Sequence, residues 1–468
     1  MPQEFDVVIV GGGPGGYAAA LYGANAGLKI AVVEKDKVGG TCLHRGCIPA
    51  KEFLETSAVY RAVSTAKDFG VQTSQPGLDF SVSQARKQKV VDGLWKGLSG
   101  LMRSRKITTV EGTGRLDADG VVRVDDGSEL EGRFTILATG SVPRTIPGFE
   151  IDGRTVLSSD EFLSLSELPR SVAVIGGGAI GCEFASMLAD VGVSVTLLEA
   201  LPKILPGCDA EVADMVVRSF RRRGIDIHTG VPVTGHAPNP SGGTVVSFGD
   251  GATVEVDAVV VSVGRRPLSD GLLGDGTGVV VDERGFVAVD EWCRTGAENV
   301  FAVGDVVATT AGPHPQLAHV GFAEGILVIH QILGEATVPV DYTRVPWCIY
   351  CHPEVAFTGL SEEAAREAGY DVVTKKMPVA HNGRAMILGE GEGMVKVVAE
   401  KGADGSGGRL LGVHMVGPWV TEQLGQAYLA VNWEATASEV AHFIQPHPTL
   451  SETFGETMLA ITGRGLHG

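Results

Sequence analysis

The sequence predicts an α/β protein in which two glycine-turn βαβ units precede a C-terminal α+β segment. Three observations predict it. A strand-and-glycine pattern occurs twice at a fixed offset, β-branched apolar runs alternate with alanine-rich helical stretches, and 468 residues exceed what one hydrophobic core fills. Apolar residues make up 44 % and charged residues 20 % of the chain, the balance of a folded α/β protein rather than a disordered one.

The repeat comes first. Residues 6–10, an apolar strand, run into Gly11, Gly13, Pro14 and Gly16, and 165 positions later residues 171–175 run into Gly176, Gly178, Ala179, Ile180 and Gly181. Each copy continues through a helical stretch into a second apolar strand ending in an acid, Glu34 in one and Glu199 in the other. This is the dinucleotide fingerprint: one glycine makes the turn, the next lets the backbone approach a pyrophosphate, and the third packs helix on strand. The helix N-terminus then receives phosphate charge. A single match is weak in a chain with 65 glycines, but two in full strand-helix-strand-acid context define two Rossmann-like dinucleotide-binding domains.

Turn-rich stretches at 142–148 and 264–278 bound the second unit. The expected domains are 1–148, 149–272, a central segment 273–341 with a buried strand leading to Asp305, and 342–468. The last alternates strands (394–399, 410–416) with helices (362–368, 421–431) and reads as α+β.

A formal charge of −18 argues against nucleic acid, which needs a basic stripe, and suits a basic protein partner. No stretch of 18 apolar residues exists, so no membrane span is expected. The first apolar run opens at Phe5, leaving no room for a leader and predicting a cytoplasmic protein. Seven cysteines, an odd count in a large chain, point to reduced surroundings in which any disulfide is catalytic.

The chemistry concentrates at 39–51. Cys42 and Cys47 stand five positions apart at a helix entry, where they can close a short-loop disulfide and where the helix N-terminus lowers a thiol pKa. Pro49 suits a first helical turn. Two buried structural thiols are the alternative, disfavoured by the flanking glycines and by the adjacent nucleotide site, which offers an electron acceptor. Cys348 and Cys351 have a metal-like spacing without a second pair, and they, Cys182, Cys208 and Cys293 are given no role.

This segment resembles the active-site disulfide of the class I pyridine nucleotide-disulfide oxidoreductases, and the resemblance covers essentially the whole chain. It extends to the strand end Thr139-Gly140, the turn 263–267, the strand 301–306, Leu317-Ala318-His319 and the tail 447–452. The chain is most similar to the branch that oxidises dihydrolipoamide. The resemblance implies FAD in the first fingerprint, with Glu34 on its adenosine ribose, Asp305 near its ribityl-phosphate, and Lys35, Gly40, Thr41, Gly114, Thr139, Gly140 and Ser141 also lining it. Lys51 would pair with Glu183 beside the flavin, and the helix starting near Leu317, Ala318 and His319 would point its dipole at the ring. Cys42 would exchange with substrate and Cys47 face the flavin. His447, oriented by Glu452 and supplied by the other subunit of a homodimer, would be the acid/base.

The second fingerprint would hold NAD, lined also by Val233 and Gly264. Glu199 favours a ribose diol and repels a 2′-phosphate, and Ala179 stands where some relatives place a tyrosine. The implied substrate is dihydrolipoamide on a lipoyl-carrier or acyltransferase protein. The rivals are another disulfide reductase of the same fold and an inactive carrier-binding scaffold. The tail 463–468 lacks the cysteine pair of a mercuric reductase. Leu43-His44-Arg45 and Ala50-Lys51-Glu52 depart from the usual family residues and alter charge beside the substrate path. The segment Thr449-Leu450-Ser451-Glu452 also matches a helix capping box, which would need Glu452 for structural reasons alone.

Overall fold

The computed structural model describes residues 2–74, 77–240 and 242–467. Its first sheet is built on Gln3–Val10, flanked in parallel by Ile30–Glu34 and Glu129–Leu137. The outer strand Thr108–Glu111 joins Ile30–Glu34, and Val300–Ala302 joins the far end of Glu129–Leu137. The central segment thus completes the first sheet from 290 residues downstream. Its long helix, Ala318–Leu333, packs along the first fingerprint helix, Pro14–Asn25.

The second sheet repeats the plan in parallel: Asp226–Thr229, Ser194–Glu199, Ser171–Ile175, Ala258–Val261 and Val156–Leu157. Both fingerprints fold alike for a steric reason. A Cβ on Gly16 would lie 1.9 Å from the Gly11 carbonyl oxygen, and one on Gly181 would lie 1.8 Å from that of Gly176. Only glycine lets each helix start that close to its strand.

The C-terminal unit is a five-stranded antiparallel sheet, in the order Trp347–Ile349, Glu354–Gly359, Gly407–Gly417, Met394–Lys401, Val372–Pro378. One register row crosses all five strands: Trp347, Phe357, His414, Lys396 and Lys376. The first three stack as aromatic rings, and the row docks on the helix Ala210–Arg222 of the second unit. Lys396 is buried with Asp209 at 3.0 Å, Glu211 at 3.0 Å and Glu362 at 2.8 Å, and the Asp209 amide donates to His414 Nδ1.

This seam predicts acid sensitivity. Burial pushes the His414 imidazole down to about 4, against the favourable field of Asp209, and pushes His352, also opposed by Arg61 and Arg223, down to about 3. Both rings fold neutral, so the stability they allow is complete above the ordinary histidine range and is lost as pH falls below 6.5 toward those values. For His414 the loss is on the order of 3 kcal/mol. Urea unfolding should weaken between pH 7 and pH 4.5, with a shallower decline in His414→Gln. An equal decline in both proteins would remove His414 from the effect.

Candidate redox site

The two thiols belong to different helices. Cys42 lies in the short helix Gly40–Arg45 and Cys47 opens the long helix Cys47–Thr65, with Gly46 as the hinge between them. Both are free thiols in this structure and partly buried. Gly40 has φ +57, and a Cβ there would lie 2.7 Å from the Gly13 Cα, so the thiol-bearing helix rests directly on the first fingerprint turn.

The pair is electrostatically uneven. Cys47 is held below its ordinary thiol range, first by the hydrogen bond from Cys42 and then, against burial, by the Lys51 ammonium. Its place at a helix N-terminus acts in the same direction. Cys42 is pushed up by the same hydrogen bond and by burial. The phenol of Tyr17 faces both thiols and is pushed up to about 12, first by burial and then by their charge.

Lys51 sits one helical turn after Cys47 and binds both oxygens of Glu183 at 2.7 Å. The Tyr350 amide also donates to Glu183, at 2.9 Å, and the Tyr350 ring lies 5.0 Å from Lys51 Nζ. Glu183 is buried on the second fingerprint helix. This bidentate pair therefore joins the redox helix to the second nucleotide unit.

The nucleotide cradles are prepared in parallel. Glu34 accepts the Gly12 amide at 2.8 Å and the Asp36 amide at 2.9 Å; Glu199 accepts the Gly177 amide at 2.5 Å and the Leu201 amide at 2.7 Å. Gly13 and Gly178, at the two helix N-caps, make no side-chain cap, and a Cβ on either would meet nothing within 4 Å. The third long helix, Ala318–Leu333, also starts without a side-chain cap, at Leu317. Uncapped amides over open space are the donor set that a dinucleotide pyrophosphate fits.

Around the first cradle, Ser141 donates to Asp305 at 2.6 Å, and Arg265 donates to Ser141 through Nε at 2.6 Å and Nη2 at 2.8 Å. Thr139 donates to the Leu268 carbonyl. Gly140 and Gly264 occupy left-handed conformations, Gly114 is buried against Val10 and Val33, Lys35 is exposed, and Thr41 follows Gly40 in the thiol helix. His319 donates to the Pro346 carbonyl, and burial lowers its pKa. In the second cradle, Ala179 and Ile180 open the helix, and Val233 packs against the cluster containing Ile175, Leu198 and Val261.

Sequence reasoning missed Glu324. It is fully buried and accepts the Gly304 amide at 2.6 Å, His314 at 2.7 Å and the Tyr342 hydroxyl at 2.6 Å. It ties the turn before Asp305 and the loop before Leu317 to one helix. A glutamate inside an apolar helical run was the available signal. Arg265 and Tyr350 were missed similarly, because their segments were read for a glycine and for cysteines.

His44 and Arg45 turn toward the loop after Glu34: His44 bonds the Val38 carbonyl at 3.0 Å and Arg45 pairs with Asp36 at 2.9 Å. Glu52 pairs with Arg86 at 2.5 Å. Cys348 and Cys351 bond different backbone carbonyls, and burial raises both thiols. His447 Nδ1 bonds Glu452 at 2.8 Å, and its ring is 79 % exposed, with no hydrogen bond to either redox thiol among the described residues. The capping box is half made. Glu452 accepts the Thr449 amide, but the Thr449 hydroxyl donates to the Pro446 carbonyl and the helix begins at Glu452.

Residues 5–325 match the family described as pyridine nucleotide-disulphide oxidoreductase, and residues 345–458 match its dimerisation domain. The chain is 42 % identical to a dihydrolipoyl dehydrogenase of Bacillus subtilis over the full length of both, and 35 % identical to a mitochondrial one of Pisum sativum, covering 99 % of this chain and 93 % of that one. Among solved structures it resembles LpdA of Mycobacterium tuberculosis, with a TM-score of 0.89 and 26 % identity over 98 % of this chain and 99 % of that one. It also resembles the HOCl-induced flavoprotein disulfide reductase RclA of Escherichia coli, with a TM-score of 0.86 and 28 % identity over 98 % of this chain and 100 % of that one. No helix among the described residues is long and apolar enough to cross a membrane. With paired fingerprints, an uneven thiol pair between them and family matches spanning most of its length, the chain belongs to the pyridine nucleotide-disulphide oxidoreductases.

Proposed function

We propose that the protein oxidises dihydrolipoamide, carried on a lipoyl-carrier or acyltransferase protein, to lipoamide, with FAD as the internal cofactor and NAD as the final acceptor. The observation that carries the reading is the unevenness of the thiol pair. An oxidised Cys42–Cys47 disulfide attacked at Cys42 releases Cys47, whose departing thiolate is favoured by the Lys51 ammonium and by its place at a helix N-terminus. The full-length likeness to dihydrolipoyl dehydrogenases supports the substrate class.

A substrate thiolate, its proton taken by His447, attacks Cys42 Sγ; the Cys42–Cys47 bond breaks and a mixed disulfide forms. The second substrate thiol then attacks the substrate sulfur of that bond, closing the cyclic disulfide and leaving Cys42 as a thiol. One electron pair has moved onto the protein dithiol. Lys51 holds charge beside Cys47, and Glu183 fixes Lys51. FAD, held by the first cradle with Glu34 and Asp305 at its two ends, would supply the acceptor for that pair and its transfer as hydride to NAD in the second cradle. His447 acts from the partner subunit, and the protein works in the cytoplasm.

The test is oxidised holoenzyme mixed with dihydrolipoamide and NAD, with NADH followed by absorbance. Turnover should exceed that with glutathione or other monothiols by orders of magnitude. A second reading, reduction of another disulfide, is favoured by the likeness to RclA. Faster NADH consumption with a different disulfide than with lipoamide would select it.

Cofactor choice gives a separate prediction. Glu199 is buried and locked by two amides, and the nearby cation Lys203 is engaged by Glu363 at 3.3 Å. A 2′-phosphate would meet a fixed carboxylate without a free counter-charge. The kcat/KM for NAD should exceed that for NADP by at least about 100-fold, narrowing in Glu199→Ala. A native preference for NADP would sink the assignment.

A further inference from the structure

The helix Phe80–Ser104 carries Arg86, Lys87, Lys89, Lys96 and Arg103 against one acid, Asp92, in a chain whose net charge is −18. Its inner face is accounted for: Val91 and Met102 are buried, Trp95 and Leu98 pack on the first core, and Lys87 bonds the Leu163 carbonyl; Arg86, on the outer face seven residues before Gly93, is paired with Glu52.

The outer face is built in three lines. Lys89, Lys96 and Arg103 follow one another at seven-residue intervals, all exposed and without an ion-pair partner among the described residues. Seven residues advance about 10 Å and nearly close two turns, so the three cations form one straight rim. Leu94 and Leu101, 46 % and 40 % exposed, form a parallel apolar rim with the same spacing. Between the rims lie Gly93, Gly97 and Gly100. A Cβ on Gly93 or Gly97 would meet nothing within 4 Å, and one on Gly100 would meet only the tip of Arg103.

A solvated helix gains nothing from this arrangement. Each interior glycine weakens the helix against alanine where no packing requires it, and exposed leucines add an apolar strip in water. A glycine floor between a cationic and an apolar rim admits a second backbone at close range. The helix also packs against both thiol-bearing helices, Gly40–Arg45 and Cys47–Thr65, so an object seated on it is one helix removed from the redox segment.

We infer that this face docks an acidic protein domain carrying the dithiol substrate, with acidic side chains along Lys89, Lys96 and Arg103 and an apolar edge against Leu94 and Leu101. The inference rests on the dithiol-oxidising reading and names the partner of that site. Charge complementarity selects the occupant. A chain of net charge −18 repels an acidic domain over most of its surface, so this unpaired cationic line fixes where it lands and raises its encounter rate.

The experiment compares free dihydrolipoamide with a reduced, strongly acidic lipoyl domain as substrates of the holoenzyme, and separately measures binding of the oxidised domain by titration. In K89E/K96E/R103E, kcat/KM for the domain should fall roughly 100-fold and lose most of its salt dependence, while free dihydrolipoamide stays within about twofold. Gly97→Leu, which fills open space, should weaken binding of the domain roughly tenfold without changing the salt dependence. Equal loss with both substrates, unchanged binding of the domain, or altered sedimentation of the holoenzyme showing that a second copy occupies the face would each overturn the inference. If wild type oxidises neither substrate, the dithiol reading fails, and the titration still decides whether the face binds the acidic domain.

Discussion

Cys42→Ser and Cys47→Ser should each reduce dihydrolipoamide oxidation to background while leaving the fold and flavin content intact. Serine keeps the size and a hydrogen-bonding group at both positions, and neither thiol belongs to a hydrophobic core cluster, so the cost to stability is small. The chemistry has no substitute, because electrons leave the substrate only by exchange at sulfur. The two variants should differ in reactivity. With Cys47 retained, a thiol-alkylating agent should react at low pH, because Lys51 and the helix N-terminus still favour the thiolate; with only Cys42 retained, alkylation should need a higher pH. Measurable turnover by either variant, with wild-type flavin content and melting temperature, would exclude the disulfide route.

His447→Gln should slow dithiol oxidation by roughly 100-fold to 10,000-fold. A substrate thiol near pKa 8.5 is mostly protonated at neutral pH, and imidazole titrates in the range needed to accept its proton. Glu452, bonded to His447 at 2.8 Å and held by the Thr449 amide at 2.7 Å, orients the ring. Transfer from NADH to an artificial acceptor needs no thiol deprotonation and should persist. Subunit mixing then locates the base. Alone, Cys42→Ser is inactive and His447→Gln keeps at most about a hundredth of the activity, but a mixed dimer brings one intact Cys42 to one intact His447 if they meet across subunits, restoring about a quarter of wild-type activity after random exchange. No restoration would place the base and thiol in one chain; equal loss of NADH-to-acceptor activity in His447→Gln would indicate a damaged interface instead.

Much of this site was legible because its determinants are local. The glycines of each fingerprint and its terminal acid lie within one βαβ unit, and Cys42, Cys47 and Lys51 lie within ten positions. Lys51 and Glu183 are separated by 132 residues, and family resemblance linked them before the geometry did. Glu324 stayed hidden because its three donors come from three distant segments, Gly304, His314 and Tyr342, and no spacing rule connects them. The seam of His414, Lys396 and Asp209 was equally silent. A histidine and a lysine in a strand pattern read as outward-facing residues until a neighbouring helix covers them. The half-made capping box is a partial match: Glu452 accepts the Thr449 amide, but the helix starts at Glu452 rather than after Thr449.

The contact of Gly40 on Gly13 has a consequence for transplantation. Any scaffold meant to borrow this dithiol must also accept the glycine turn beneath it, because a methyl group at position 40 would collide with that turn at 2.7 Å. The smallest portable cassette is therefore the unbroken stretch from strand Gln3–Val10 to helix Cys47–Thr65. A graft of residues 39–51 alone onto an unrelated helix would carry the sulfurs without the fingerprint turn on which their helix rests, and should exchange thiols without the neighbouring nucleotide cradle.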